Sequence, residues 1–481
     1  MKKIFIIYWL LIILLIICSC NMHDIGGPIG YYPGAPEFFN RIGEMDFVLV
    51  TDENRTVSLE LTSNDAAYSQ IKQRILTDQD IPKDMIKIEE IVNYFDYDLP
   101  LATNAISMSS KCITTPWNND THLLALGLKT KEFDVKSLKK NLIFLIDVSG
   151  SMDGEYRLGF IKEAFKALVE QLDIDDTISI VTYASTTAVY LEGVKGNQHD
   201  YLFNKIDSLI AGGSTAGGEG IQKAFALAKK YQSSHDFTSI LLATDGDFNV
   251  GISNSNDLKD MLLENRENGI FLSTLGVGTG NFQDQMFQVL AKYGGGNYSY
   301  IGNSDEARTV LVKNQMGFFN VVAQEAKSQI TFLDRVSEYR MIGYENKRLT
   351  NEEYENSDTI AGSLCANDCI IIIFELKMTT NVSFMDIFSW EIKYNDIQTQ
   401  ECVTSVVTSS EIISNNTILD INIEDMIFIS CLIEFGLLLF DSKYKANASF
   451  LSIIARMEDY SLADDPIRGE LKVLILKLVD K

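Results

Sequence analysis

The sequence predicts an α/β fold: a doubly wound, mostly parallel sheet, with a β-rich layer contributed by the flanking segments and helices at the C-terminal end. Three observations carry this reading. From about residue 139 to 320, apolar runs of strand length alternate with amphipathic helical stretches, the pattern of a parallel sheet covered on both faces. Loops bearing Asp, Ser and Gly stand at the ends of those runs. On either side, shorter segments alternate as half-buried strands do. A chain of 481 residues, 46% apolar and 22% charged, is long enough for two or three folded domains.

The chain opens on an address. Lys2 and Lys3 precede an apolar run from Ile4 to Ile17, and Cys18-Ser19-Cys20 follows, so residues 1–20 read as a signal peptide. Ile17-Cys18-Ser19-Cys20 resembles the bacterial lipobox. That resemblance implies a lipid on Cys20 as the new N-terminus and a place in the bacterial cell envelope, periplasmic or surface-exposed. Residues 21–36, with Gly26, Gly27, Pro28, Gly30, Pro33, Gly34 and Pro36, read as a flexible tether. Residues 37–138 form an N-terminal flanking module. Asp80-Ile-Pro-Lys-Asp84 introduces a helix at 86–95, and Leu123 to Thr130 alternates as a strand.

The central segment, 139–320, is read element by element. Asn141 to Val148 is apolar throughout, as a strand buried on both faces is. Leu158, Ile161, Phe165, Leu168 and Leu172 then fall at helical spacing, with Lys162, Glu163 and Lys166 turned to water. Thr177 to Tyr183 and Thr187 to Leu191 read as a hairpin-like edge pair. Helices are expected near 199–209 and 217–231, then a strand at 239–244, a helix at 257–268, a strand at 270–277, a helix at 282–292, a strand at 297–301 and a last helix at 304–319.

In the C-terminal flanking domain, 321–481, Gln329 to Leu333, Glu338 to Tyr344, Cys369 to Met378 and Phe388 to Tyr394 read as strands. Helices are expected at 423–440, 450–456 and 467–479. The run from Met426 to Phe440 is apolar enough to raise the question of a membrane span. At fifteen residues, interrupted by Glu434, it falls short of the roughly 20 needed to cross a bilayer, so it reads as a core helix.

Charge and cysteine usage narrow the function. A formal charge of −25, with no Lys/Arg block, excludes a nucleic-acid footprint and electrostatic attachment to anionic lipid. Beyond the leader, Cys112, Cys365, Cys369, Cys402 and Cys431 remain. Buried single thiols are the default. Cys365 and Cys369 are close enough for a short disulfide loop, which spacing cannot assign. His23, His122, His199 and His235 lack metal-ligand spacing.

The chemistry concentrates in three loops. Asp147-Val148-Ser149-Gly150-Ser151 leaves the first central strand with one carboxylate and two hydroxyls at alternate positions. Hard oxygen donors of this kind suit Mg²⁺, with Mn²⁺ or Ca²⁺ as alternatives. The hydroxyls are neutral, so a bound ion keeps its charge and can take a partner's carboxylate. Gly212-Gly213-Ser214-Thr215 adds a hydroxyl on a loop whose glycines let backbone approach. Thr244-Asp245-Gly246-Asp247 repeats a strand-end carboxylate. In an open parallel sheet all three loops should meet beyond the carboxyl ends of the strands.

Asp147, Ser149, Ser151, Thr215 and Asp245 together resemble the metal-ion-dependent adhesion site of the von Willebrand factor type A domain. The resemblance implies direct ion contact by the serines and the threonine, and contact through water by the aspartates. Ala211 to Ile221, Leu242 to Gly251, Ile88 to Phe95, Pro116-Trp117-Asn118 and Ile342 to Asn346 further resemble the YfbK-like branch of bacterial envelope proteins. Relatives tend to have Arg where Phe440 precedes Asp441-Ser442.

The function expected is Mg²⁺-dependent binding of a protein or surface ligand that presents a carboxylate. The alternatives are a structural or regulatory subunit of an envelope complex and, behind it, a metal-dependent hydrolase. Catalysis is not expected. A phosphotransferase of the dehalogenase type would need an acid where Ser149 stands, and no nucleophile–histidine arrangement is suggested. Asp247 and Glu219 read as solvated loop acids. Gly276-Val-Gly278-Thr-Gly280 fits no nucleotide-loop spacing. Ligand occupancy is expected to be passed on through the helix at 304–319.

Overall fold

The computed structural model describes residues 43–101, 105–132, 138–214, 218–246, 255–278, 284–313, 321–379, 386–410 and 420–479. The leader, Cys20, the tether, Thr215, Asp247 and the end of the 304–319 helix lie outside the described residues. In chain order the first flank supplies β1 (Val48–Leu49), β2 (Thr56–Glu60), α1 (Ala66–Leu76), α2 (Ile88–Asn93), β3 (Ile106–Thr114) and β4 (His122–Thr130). The middle supplies β5 (Lys140–Asp147), α3 (Phe160–Val169), β6 (Thr177–Tyr183), β7 (Thr187–Lys195), α4 (His199–Asp207), α5 (Gly218–Gln232) and β8 (Phe237–Thr244). It continues with α6 (Ser255–Glu267), β9 (Ile270–Val277), α7 (Asp284–Gly294), β10 (Gly295–Ile301) and α8 (Ser304–Lys313). The second flank holds β11 (Val321–Phe332), β12 (Val336–Ile342), β13 (Arg348–Leu349), α9 (Asn351–Glu355), β14 (Gly362–Cys365), β15 (Cys369–Met378), β16 (Phe388–Asp396) and β17 (Cys402–Thr408). Helices α10 (Ile423–Phe440), α11 (Phe450–Asp459) and α12 (Gly469–Val479) close the chain.

The middle sheet runs β10-β9-β8-β5-β6-β7. Its pairs are parallel except β6 with β7, an antiparallel edge pair. Helices cover both faces. On one, α3 buries Phe160, Ile161, Ala164, Phe165, Leu168 and Val169, and Phe165 stacks on Phe144 of β5 with ring centroids 4.0 Å apart. On the other, α5 and α7 contribute Ile221, Phe225, Phe287 and Leu290 to a second core with Ile143 and Leu145. The chain moves from β5 to β6 on one side and later returns to β8 on the other. The carboxyl ends of β5 and β8 therefore flank a topological switch point, where open sheets leave a crevice.

The flanks interleave. One antiparallel sheet runs β1-β12-β15-β4-β3, and a second runs β13-β2-β11-β16-β17 with β14 also paired to β11. Strands before and after the middle sheet are thus neighbours: β4 pairs β15, and β2 pairs β11. Facing side chains of the two sheets form one sandwich core, with Leu124, Leu126, Leu128, Ile370, Ile372 and Phe374 meeting Val57, Leu59, Ile330 and Trp390. The alternate residues Leu123, Ala125, Ile371 and Ile373 point to the opposite face, which α1, α2 and the closing helices cover. This double burial is why β4 and β15 carry almost unbroken apolar runs.

The apolar run at 426–440 is the core of α10, buried from Asp425 to Leu437, and no described helix is long and apolar enough to cross a membrane. Its Glu434 is fully buried, paired with Arg456 of α11 and accepting hydrogen bonds from the Ser449 amide and the Ser452 hydroxyl. Arg456 also donates to the Ser430 hydroxyl at 3.1 Å. Hydropathy does not predict β2, α1, β3 or β17. Polar residues are frequent in all four; β2 is placed by pairing with the distant β11 and α1 by contacts with β10, while β3 and β17 are edge strands that pair with their sequence neighbours β4 and β16.

Two outcomes are expected. Arg456→Met should strand a buried carboxylate and lower stability by about 3–5 kcal/mol, read as a fall in the urea midpoint; an unchanged midpoint would show that Glu434 is not held by the pair. Burial pushes the Glu89 carboxyl above the usual range and Glu345 pushes it further, against the pull of Lys87 and Lys347. Above the ordinary Glu value of about 4.3, the folded state keeps a proton that the unfolded chain releases, so this group makes stability fall as pH rises. Glu89→Gln should flatten the decline in midpoint as pH rises above the ordinary Glu value of about 4.3, and an equally steep decline in the variant would contradict the assignment.

Candidate functional site

Strand β5 ends on Asp147, buried on all sides at 0% exposure. The loop beyond it is stitched to its neighbours by backbone hydrogen bonds. The Val148 amide donates to the Tyr183 carbonyl at 3.0 Å, Gly212 N to the Val148 carbonyl at 2.8 Å, and Gly150 N to the Gly213 carbonyl at 2.9 Å. Ser149 is extended and residues 150–152 make one tight turn that buries Met152. Residues 147, 149 and 151 therefore present their oxygens to one region. Ser149 is buried and Ser151 half-buried.

These oxygens form a connected set. Asp147 Oδ1 accepts from the Ser149 amide at 2.8 Å, and its Oδ2 accepts from the Thr244 hydroxyl at 3.0 Å. The Ser149 and Ser151 hydroxyls lie 3.0 Å apart, and Ser151 Oγ donates to Asp245 Oδ1 at 3.1 Å. Gly246, at φ +116°, turns its amide onto the Thr244 hydroxyl at 3.3 Å. Burial pushes the Asp147 carboxyl above its usual range. Hydrogen bonds from Ser149 and Thr244 pull it back, and the nearby Asp245 charge pushes it up again. Two carboxylates in a buried crevice favour a cation beside them.

The glycine-rich loop comes to the same place. Gly213 sits at φ +85°, and a Cβ there would stand 2.5 Å from the Ser185 hydroxyl. That hydroxyl accepts from the Ser214 amide at 2.8 Å. Thr215 itself lies outside the described residues. Four of the predicted donors, Asp147, Ser149, Ser151 and Asp245, are thus brought together by the ends of β5 and β8. The set is all hard oxygen, which fits Mg²⁺. Among the described residues, no group of three or more His, Cys, Asp and Glu side chains is arranged to hold a metal ion; a cation in this crevice would depend on the hydroxyls.

Other sequence candidates fall elsewhere. Glu219 is exposed on α5 and pairs with Lys223 at 3.7 Å. His199 bonds the Leu172 carbonyl, and His235 bonds Thr177 and the Tyr231 carbonyl. Cys365 and Cys369 are buried free thiols, as is Cys431. The sequence reading missed two contributors. Thr244 could have been found as a hydroxyl at a strand end beside a carboxylate. Arg157, which lies 3.7 Å from Asp245 Oδ2, carried no signal, since its orientation depends on the irregular turn before α3.

Replacing the Thr244 hydroxyl should be costly. Thr244→Val leaves an Asp147 oxygen and the Gly246 amide without this partner, and a loss of about 1–3 kcal/mol is expected in denaturant unfolding. A variant as stable as the parent would mean that the Thr244 hydroxyl does not hold Asp147.

Comparison with known proteins agrees with this architecture. Residues 141–312 match the family model described as von Willebrand factor type A domain, residues 35–125 one described as von Willebrand factor, and residues 317–481 one described as uncharacterized protein YfbK, C-terminal. The chain is 36% identical over 345 residues to YfbK of Escherichia coli, which covers 69% of this chain and 60% of that protein's length. It is 30% identical over 184 residues to the Synechocystis protein sll0103, covering 38% of this chain and 42% of that one. Among solved structures, a von Willebrand factor type A protein from Catenulispora acidiphila aligns at 12% identity and TM-score 0.41, over 79% of this chain and 99% of that one. The chain thus carries a von Willebrand factor type A domain at residues 141–312 followed by a region matching the YfbK C-terminal family, and it is similar to YfbK over most of its length.

Proposed function

We propose that this protein binds a partner through a divalent cation held at the carboxyl ends of β5 and β8. The observation that carries the reading is the convergence of Asp147, Ser149, Ser151 and Asp245 on one crevice, with their oxygens joined by hydrogen bonds of 3.0 and 3.1 Å. Mg²⁺ bound there would supply an electrophilic open position for a carboxylate of the partner. By their place in the motif, Ser149, Ser151 and Thr215 would hold the ion through their hydroxyls, with Asp147 and Asp245 supporting it. Asp147 also orients the loop, because it takes the Ser149 amide and the Thr244 hydroxyl at once. Neutral hydroxyls favour holding a carboxylate over activating water, so the reading is adhesion and not hydrolysis. With Cys20 lipidated, the module would stand on a membrane of the bacterial envelope.

The interleaved flanks favour a second role within the same reading. Strand β11 follows the middle domain in sequence and pairs with β2, β14 and β16. A shift of α8 on ligand capture would therefore reach the sandwich, as a regulatory subunit requires.

Calorimetry with Mg²⁺ and affinity capture from envelope extracts, with and without EDTA, test the proposal on the parent chain and on Asp147→Ala. The expected results are Mg²⁺ binding by the parent alone, partners lost in EDTA and in the variant, and a stabilisation of about 2.7 kcal/mol when Mg²⁺ is present at a hundredfold excess over Kd. The same partners captured by a folded Asp147→Ala variant in EDTA would overturn it.

A further inference from the structure

Arg157 stands where the cation chemistry is. It lies on the irregular turn Glu155–Gly159 between the Asp147 loop and α3. Its guanidinium donates to the Ser151 carbonyl and lies 3.7 Å from Asp245 Oδ2. Asp245 is thereby divided: Oδ1 takes the Ser151 hydroxyl at 3.1 Å, and Oδ2 faces the guanidinium. The loop after β9 closes on the same group. Gly278 sits at φ +81°, and a Cβ there would come within 3.1 Å of Arg157 Nε. The Gly278 carbonyl is in turn held by the Tyr300 hydroxyl at 2.7 Å. Loops from the ends of β5, β8 and β9 thus meet on one guanidinium, whose side chain keeps 34% of its surface exposed beside an Asp245 that keeps 8%.

We infer that Arg157 is the built-in counter-charge of the site, an internal cation that holds Asp245 and competes with the divalent ion for it. The inference rests on the metal-binding reading above. Asp147 and Asp245 are two acids in one buried crevice, and Arg157 supplies a positive charge beside Asp245 Oδ2. A divalent ion entering beside Ser149 and Ser151 meets that charge and must share Asp245 with it. Arg157 therefore sets the cation affinity low and keeps the loops assembled before the ion arrives. Its partial exposure gives the guanidinium a route to solvent.

The test compares the full chain with Arg157→Lys, Arg157→Gln and Arg157→Met after chelation, using Mg²⁺ and Mn²⁺ calorimetry together with thermal unfolding in EDTA. Removing one unit charge several ångströms from a divalent site should tighten cation binding by about tenfold. Gln and Met are both expected to show this gain together with a lower Tm in EDTA that excess Mg²⁺ restores, whereas Lys keeps the parental affinity. Two neutral variants guard against the failure of either to fold. If the parent binds the ion and the neutral variants bind it equally or more weakly, the counter-charge role is overturned while the metal site stands. If no protein, parent or variant, binds Mg²⁺ or Mn²⁺, the metal site falls and this inference with it.

Discussion

The structure turns on a carboxylate placed at the end of a strand buried along its whole length. β5 has parallel neighbours on both sides and helices above and below, so Asp147 has no solvent to satisfy it. A buried acid must be met by donors. The Ser149 amide and the Thr244 hydroxyl meet it, and in doing so they tie the loop after β5 to the loop after β8. The shape of the crevice follows from satisfying that one side chain. Ser151 and Asp245 then become neighbours, and Arg157 becomes the charge that faces them.

The same logic of satisfied burial holds the rest of the molecule together. Around the middle domain, strands distant in sequence close one sandwich, and its outer face is sealed by helices that carry their own internal charges. Glu434 in α10 is the clearest case, an acid inside an apolar helix that survives because Arg456, Ser449 and Ser452 all turn to it. Arg340 beside Glu375 in the first sheet is another, both at 1% side-chain exposure. Such pairs add little net stability but are costly to break. They restrict the ways in which the flanks can pack and so keep the sandwich in one arrangement.

This arrangement gives the middle domain an unusual setting. Strand β2 from the first flank pairs with β11 from the second, so the two flanks form a single body into which the middle segment is inserted. Contacts between the two parts combine apolar packing, with Ala66 and Cys365 entering the middle cores, and specific polar pairs. Tyr300 of β10 reaches Gln73 of α1 at 2.6 Å, and Gln288 of α7 donates to Glu90 of α2 at 2.8 Å. A domain held this way can transmit movement of its helices, since each contact has a defined partner.

Periodicity determined the alternation of strands and helices from β5 to β10, the length of the apolar run and its Glu434 marked α10 as core, and oxygen-bearing residues at the strand ends pointed to the four that meet in the crevice. These are local properties. An apolar run buried on both faces and an Asp at its end can be read wherever they occur in a chain. Thr215 follows from the motif but lies outside the described residues. Tertiary structure decided what depends on contacts distant in sequence: that β2 pairs with β11, that the Thr244 hydroxyl meets Asp147, and that Arg157 turns back onto Asp245. The physical reason is that a side chain's partner is set by the packing of separate elements, whereas its own burial pattern is written in its immediate neighbours.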